Sequence, residues 1–289
     1  MSNHEPSERS LQVASVFDAV AKTYDAVGVD WFQPIAERLV QEMAPRTGER
    51  ALDVGCGRGA ALFPLAERVG TQGRVVGIDL SAAMVERTRA DVRARGLKQV
   101  ELHVMDAAAP DLSDAAFDLV TASLVVFFLP EPGDALSRWR SLLRPGGRLG
   151  ISTFSLRDPA WKQLDDLFLP YLPPHLLDAR TSGQAGPFAS DVGVGDLLTS
   201  AGYDEVRTSS ADISPSFADP DQWYDWTWSH GQRIFWLAVP EAERDDIKRR
   251  AYAILEECRD DSGRISLTQT VRFTVGRHSA SSAPTPGSR

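Results

Sequence analysis

The sequence predicts a doubly wound α/β fold: a mostly parallel, seven-stranded sheet with an antiparallel last strand and a helical cap. Three observations carry that prediction. Short apolar runs alternate with segments of helical period over residues 50–152, a glycine-rich turn lies between the first run and the helix after it, and Ile265 to Val275 switches to a two-residue period.

Ahead of the first strand, Val13, Val16, Phe17, Val20, Ala21 and Tyr24 recur at helical spacing and predict an amphipathic helix, and a second helix is expected over 32–43. Strands are predicted at 51–54, 74–78, 100–104, 117–122 and 148–152, with helices between them such as 60–69 and 82–95. Ser81 is placed to cap the second of these helices, and Pro145-Gly146-Gly147 forms a turn into the fifth strand. Beyond Phe154 the alternation loosens. Trp161, Leu164 and Phe168 at helical spacing, followed by Pro170, Pro173 and Pro174, predict an inserted helix and loop over 158–178. A helix at 191–201 and a strand at 203–212 resume the sheet. A second insertion holds four of the seven tryptophans within 219–239, and 241–259 places Ile247, Ala251, Ile254, Leu255 and Cys258 on one face; both segments read as helices. In the last strand Ile265, Leu267, Val271, Phe273 and Val275 alternate with polar residues, broken on the apolar face by Gln269. That is the pattern of a half-buried strand closing the sheet antiparallel. The Ser/Pro-rich tail from Ser279 has too little apolar surface to order itself.

Composition narrows the partners. The 289 residues suffice for one sizeable core with a cap, and 43% hydrophobic with 25% charged residues is ordinary globular composition. No apolar run approaches a membrane span, and the polar start has no signal-peptide pattern, so a cytoplasmic protein is expected. A net charge of −9 without a dense basic run argues against nucleic acid and anionic membrane as partners, leaving a small molecule. Cys56 and Cys258 sit in no metal-ligand spacing, so free thiols and no metal are expected. Arginine outnumbers lysine 27 to 4, as in chains from GC-rich bacterial genomes. Oligomeric state is left open between monomer and homodimer.

The run Asp53-Val54-Gly55-Cys56-Gly57-Arg58-Gly59-Ala60 by itself fits two cofactors. Gly55, Gly57 and Ala60 satisfy a dinucleotide fingerprint, in which glycines admit a pyrophosphate to a helix N-terminus. S-adenosylmethionine instead has an amino-acid end, a cationic sulfur, ribose hydroxyls and an adenine, and calls for carboxylates. Asp53 precedes the loop, Asp79 ends the second strand where it can accept from both ribose hydroxyls, and Asp106 follows the third strand within reach of an adenine amine. Taken singly, each has a structural reading: a tight turn for Gly55 and Gly57, a cap for Asp79, a surface carboxylate for Asp106. Together, in order and at sheet-compatible spacing, they favour S-adenosylmethionine.

With these residues the chain resembles the ubiquinone/menaquinone-type branch of the class I methyltransferases. The resemblance rests on Ala51 to Gly59, Val76-Gly77-Ile78-Asp79-Leu80-Ser81 with Met84, Asp106, Phe117-Asp118-Leu119-Val120 and Leu143-Arg144-Pro145-Gly146-Gly147, and covers residues 17–154. It implies that the loop residues Gly55, Cys56, Gly57 and Gly59, with Asp53, Asp79 and Asp106, hold the cofactor. Leu80, Met84, Ala107 and Ser123 are their expected neighbours, and Phe17 and Tyr24-Asp25 match an N-terminal segment that covers it. The chain then divides into N-terminal cofactor-covering helices (1–48), cofactor core (49–154), first cap insertion (155–190), resumed core (191–215), second cap insertion (216–262), last strand (263–278) and tail (279–289).

Methyl transfer is an in-line displacement for which alignment and exclusion of water suffice, so a general base is optional. Relatives of this branch often carry a histidine after the fourth strand; here that region reads Val125-Val126-Phe127-Phe128-Leu129-Pro130, an apolar floor suited to a hydrophobic acceptor. No Asn-Pro-Pro-Tyr motif follows, which removes support for amide or adenine N-methylation. In the second insertion Trp223, Trp226 and His230 fall on one helical face; they are candidates to roof an acceptor pocket, with His230 as the base. Phe127, Phe128, Trp161 and Arg233 complete the expected substrate-binding set, while His103, within a strand, and His175, in a loop, are worse placed. O- or N-methylation of an aromatic or polyketide-like metabolite ranks first. C-methylation of an isoprenoid carbon comes second; for a diphosphate acceptor Arg180 or Arg233 would have to meet the phosphates. A cyclase or binding protein that retains the cofactor structurally is the remaining class.

Overall fold

The computed structural model describes residues 6–172 and 186–279. The expectations for His175, Arg180, Pro173, Pro174 and most of the tail fall outside the described residues. Helix α1 (Glu8–Val20) starts where the Ser7 hydroxyl accepts the Ser10 N–H, and α2 (Phe32–Met43) stops at Ala44, which takes a left-handed conformation at φ 44°. Then follow β1 (Arg50–Val54), α3 (Leu62–Val69), β2 (Arg74–Asp79), α4 (Ala82–Ala94), β3 (Val100–Val104), β4 (Phe117–Ser123), α5 (Pro132–Leu142) and β5 (Leu143–Arg157). Ser81 caps α4 as its position suggested, accepting the Met84 N–H at 3.1 Å.

The sheet order is β3-β2-β1-β4-β5-β9-β6, where β6 is Asp204–Ile213 and β9 is Gln269–Arg277; β1 to β5 pair in parallel, and β9 runs antiparallel to both its neighbours. The chain therefore reverses its direction of travel across the sheet between β1 and β4. In open α/β sheets such a reversal leaves a crevice beyond the carboxyl ends of the strands, where ligands bind. α2 lies against the sheet so closely that a Cβ on Gly150 of β5 would come within 2.3 Å of the Met43 sulfur. Arg148 fixes this contact. Buried at the β5 entry, it donates to the Met43 and Ala44 carbonyls at the end of α2 and pairs with Glu49 at 2.8 Å.

Three expectations need correction. The last strand does not close an edge: β9 is inserted between β5 and β6, which pair both its edges, while the helices Phe32–Met43 and Asp191–Ser200 pack on it, and Arg272 and Thr274, read as solvent-facing, are buried. Arg272 is accommodated by an ion pair with Asp191 and by donating to the Phe154 and Phe188 carbonyls. Its first residues belong elsewhere, because β8 (Ile265–Ser266) pairs with β7 (Ser216–Phe217) in a separate two-stranded sheet. Finally, 219–239 is two helices, α8 (Pro220–Trp228) and α9 (Arg233–Ala238). The break follows from Ser229, whose hydroxyl and N–H both donate to the Trp226 carbonyl at 2.7 and 3.0 Å, and from the helix-weakening Gly231. Among the described residues the first insertion holds α6 (Pro159–Asp166) and 3-10 turns at Leu169–Tyr171 and Gly186–Ala189, and α7 (Asp191–Ser200) precedes β6.

Helices α6, α8, α9 and α10 (Glu241–Glu256) pack around a core of their own. Trp223, Trp226, Trp236 and Phe168 fill it, and Val271 and Phe273 of β9 join it to the sheet. This cap faces the crevice from the side opposite the glycine loop.

Candidate active site

The crevice is a single cavity of about 870 Å³ running from the β1 turn to the cap helices. That lies toward the top of the 300–1,000 Å³ typical of small-molecule sites, enough for more than one ligand. At one end, Gly55 and Gly57 sit at φ 64° and 47°, and a Cβ on Gly55 would reach within 2.5 Å of the Val125 side chain. Glycine is thus required at 55 by both conformation and space. The Cys56 N–H donates to the Ile78 carbonyl, and the Gly57 N–H to Asp79 Oδ2 at 2.8 Å. Asp79 Oδ1 accepts the Ser81 N–H at 2.9 Å. Each Asp79 oxygen retains a lone pair, and a ribose diol needs those acceptors.

Asp53 is 1% exposed. Its Oδ1 accepts from the Thr121 hydroxyl at 2.9 Å, while Oδ2 is buried without a hydrogen-bond partner among the described residues. Burial pushes its carboxyl up to about 7; the Thr121 bond opposes the rise and the charge of Asp79 adds to it. An unmatched buried carboxylate suits an ammonium group and would repel a pyrophosphate, and the Gly57 N–H that a dinucleotide would need is occupied by Asp79. The residues present therefore fit S-adenosylmethionine and not a dinucleotide. Asp106 lines the same cavity and accepts the Ala108 N–H at 2.8 Å, and Ala107 beside it offers its carbonyl to the Trp139 indole. Leu80, Met84 and Ser123 also line it, Ser123 lying 3.1 Å from the Ser152 hydroxyl. Cys56 is a buried free thiol whose ionisation is suppressed by that burial, so it is packing and not a nucleophile.

The N-terminal segment lines the same cavity. Phe17 of α1 meets the Phe128 ring at 6.0 Å, and Tyr24 stacks on Phe32 at 4.7 Å. Burial, then the charges of Asp25 and Asp79, push the Tyr24 phenol far above its ordinary value, so it stays neutral. α1 is tied down by Asp18, which accepts from the Ser81 hydroxyl at 2.5 Å and the Ala83 N–H at 3.0 Å, and by Arg58, which donates to the Ala21 carbonyl.

At the cap end, Phe127, Phe128, Trp161, Trp226 and His230 line the cavity as the sequence suggested. Gly59, Trp223 and Arg233 do not. A Cβ on Gly59 would strike the Phe63 ring, so this glycine serves loop packing. Trp223, 1% exposed, is turned into the cap core against Trp236, and the Arg233 guanidinium lies 5.2 Å over the Trp228 ring. His230 follows the end of α8 and packs 4.3 Å from Trp226. Its Nδ1 accepts the Gln232 N–H at 3.3 Å, which puts the ring proton on Nε2, and burial lowers its pKa to about 3. Residues the sequence did not single out as lining include Trp31, Phe32, Leu124, Phe154, Arg157 and Asp165. The adjacent aromatics Trp31-Phe32, at the start of α2, were the one signal available. Among the described residues no cluster of three or more His, Cys, Asp or Glu side chains is disposed to hold a metal.

Comparison with known proteins agrees with this geometry. The family described as "Methyltransferase domain" matches residues 51–147. Nocamycin O-methyltransferase from Saccharothrix syringae is 39% identical over 277 residues, covering 91% of this chain and 97% of that one. Aklanonic acid methyltransferase from Streptomyces sp. (strain C5) is 44% identical over 174 residues, 60% of this chain and 79% of that one. Among solved structures, the [4+2]-cyclase SpnF superimposes with a TM-score of 0.60 at 18% identity, covering 95% of this chain and 98% of that one, a likeness of fold alone.

Proposed function

The chain belongs to the class I S-adenosylmethionine-dependent methyltransferases, and from that premise we propose that it methylates an oxygen of a flat, hydrophobic, polyketide-like small molecule. The observation that carries this reading is the continuity of the cavity: one space joins the glycine loop and Asp79 to an aromatic chamber under the cap. The match to an O-methyltransferase runs through the cap as well as the core, which supports oxygen as the acceptor atom.

When bound, S-adenosylmethionine supplies an electrophilic methyl group on a cationic sulfur. Asp53 would meet its ammonium group, Asp79 its ribose, Asp106 and Ala107 its adenine, with Gly55, Cys56 and Gly57 admitting it closely and Leu80, Met84, Ser123, Phe17 and Tyr24 packing around it. Phe127, Phe128, Trp161 and Trp226 would hold the acceptor. These walls exclude water and fix the acceptor plane, and alignment of this kind is worth several kcal/mol of barrier. His230 contributes as a neutral wall group: a base poised for turnover needs a pKa near working pH, and burial moves this one away from it.

Incubation with methyl-labelled cofactor and phenolic, carboxylic, amine and isoprenoid acceptors tests the proposal. Label on an oxygen of a planar aromatic or polyketide is the expected result. Transfer only to nitrogen or carbon, or cofactor binding with no transfer to any acceptor, would defeat it.

A further inference from the structure

Arg157, in the acceptor chamber, is a charged group that neither cofactor binding nor methyl transfer requires. It ends β5, and the register of β5 against β9 slips between Phe154 and Arg157, so three steps on β5 match two on β9. Such a bulge re-aims a side chain, and this one lines the cavity. Its Nη1 pairs with Asp165, which is among the described residues the guanidinium's hydrogen-bonding partner, and the side chain is 20% exposed. A guanidinium has five N–H groups, so most of them remain for a ligand.

The surroundings define that ligand. Trp31 stacks on Trp161 at 5.3 Å and 29° and on Phe154 at 6.4 Å and 16°, a set of nearly parallel rings beside which a flat conjugated molecule fits. Ser152 is level with Ser123 at the end of β4, and Arg157 lies five residues further along the strand. The strand thus carries Arg157 past the level of the crevice floor, toward a part of the cavity that an extended, several-ring skeleton would reach. Between aromatic walls a charged donor binds an oxygen more strongly than in water.

We propose that Arg157, held by Asp165, is a specificity-determining residue that donates to a ketone or carboxylate oxygen on the far part of an extended, planar acceptor. This rests on the planar-acceptor reading above and adds to it a required oxygen and the group that reads it.

The test measures binding by calorimetry to protein loaded with S-adenosylhomocysteine. The probes are a hydroxyanthracene, a hydroxyanthraquinone and a hydroxyanthraquinone carboxylic acid. The two carbonyl-bearing anthraquinone probes are expected to bind at least about tenfold tighter than the hydroxyanthracene, equivalent to about 1.4 kcal/mol. The preferred one of the two distinguishes ketone from carboxylate. Arg157→Met should abolish the preference, and Arg157→Lys, which keeps charge but loses the planar fork, should retain part of it. Because Arg157→Met removes an ion-pair partner of Asp165, the double variant Arg157→Met/Asp165→Leu is measured too, with S-adenosylhomocysteine affinity within about twofold of the parent as the folding control. A preference that survives in the double variant overturns the role of Arg157 alone. Failure of all three probes to bind overturns the planar-acceptor reading and this inference with it.

Discussion

At Asp53 the burial that makes the site also makes it pH-sensitive. The carboxyl is raised to about 7 in the folded protein, so near neutrality it is partly protonated, whereas an ammonium ligand prefers the carboxylate. Binding below pH 7 must then displace a proton, and the dissociation constant for S-adenosylhomocysteine is expected to rise by up to about tenfold per pH unit as pH falls. Asp53→Asn should bind more weakly at pH 8 and lose the pH dependence, which calorimetry from pH 5.5 to 8.5 would reveal. His230 runs with the opposite proton balance. Its pKa is about 3 in the folded chain against an ordinary 6.5, so between those values the unfolded chain binds the extra proton and stability falls as pH drops. The slope is at most about 1.4 kcal/mol per pH unit. His230→Phe should flatten that acid limb in urea titrations, and its turnover should stay within about tenfold; a loss of 10²-fold or more, the usual contribution of a general base, would restore His230 as the base. Sequence alone located His230 but not its protonation, which depends on burial between Trp226 and Phe32 and on the Gln232 N–H.

At the scale of elements, what the sequence revealed follows how local the cause is. α2, α4 and the β1–β4 strands were legible because their periods, the Ser81 cap and the glycine turn are all encoded within a few residues. β5 was not: it runs to Arg157 rather than stopping near Ser152, because its extension is paired by β9 from more than a hundred residues away. Trp223 and Trp226 share a helix and both pack in the cap core, and spacing could not tell that only Trp226 also lines the cavity; that depends on where α9 and Trp236 pack. Two side chains join elements at long range and give separable outcomes. Arg148→Met removes the buried ion-pair partner of Glu49, leaving it only Arg46 among the described residues, and the donors to the end of α2, and should cost about 2–3 kcal/mol in equilibrium unfolding. Asp18→Ala frees α1 from the start of α4. Its expected signature is faster hydrogen exchange confined to α1 and weaker S-adenosylhomocysteine binding, with exchange in the sheet unchanged; uniform acceleration would mean that α1 is part of the fold's core rather than a cover.

For the whole molecule, the apolar cluster of the cap meets the sheet at β9, which gives Val271 and Phe273 to the cap and Val275 to a sheet cluster, and the ligand cavity lies in the seam between them. A ligand that occupies only the sheet side still stabilises the whole chain if the two clusters unfold together through β9. With S-adenosylhomocysteine at a hundredfold its dissociation constant, linkage adds about 2.7 kcal/mol. For a chain of this size each kcal/mol raises the midpoint by roughly 2–4 °C, so a shift of about 5–10 °C in a single transition is expected. NAD at the same concentration should give none, because Asp53 and the occupied Gly57 N–H oppose a pyrophosphate. The two cofactors that the glycine run alone could not separate are thus divided by a measurement on the intact protein. Two resolved transitions, with only one moved by S-adenosylhomocysteine, would show instead that cap and sheet fold independently and that the acceptor chamber forms only when they dock.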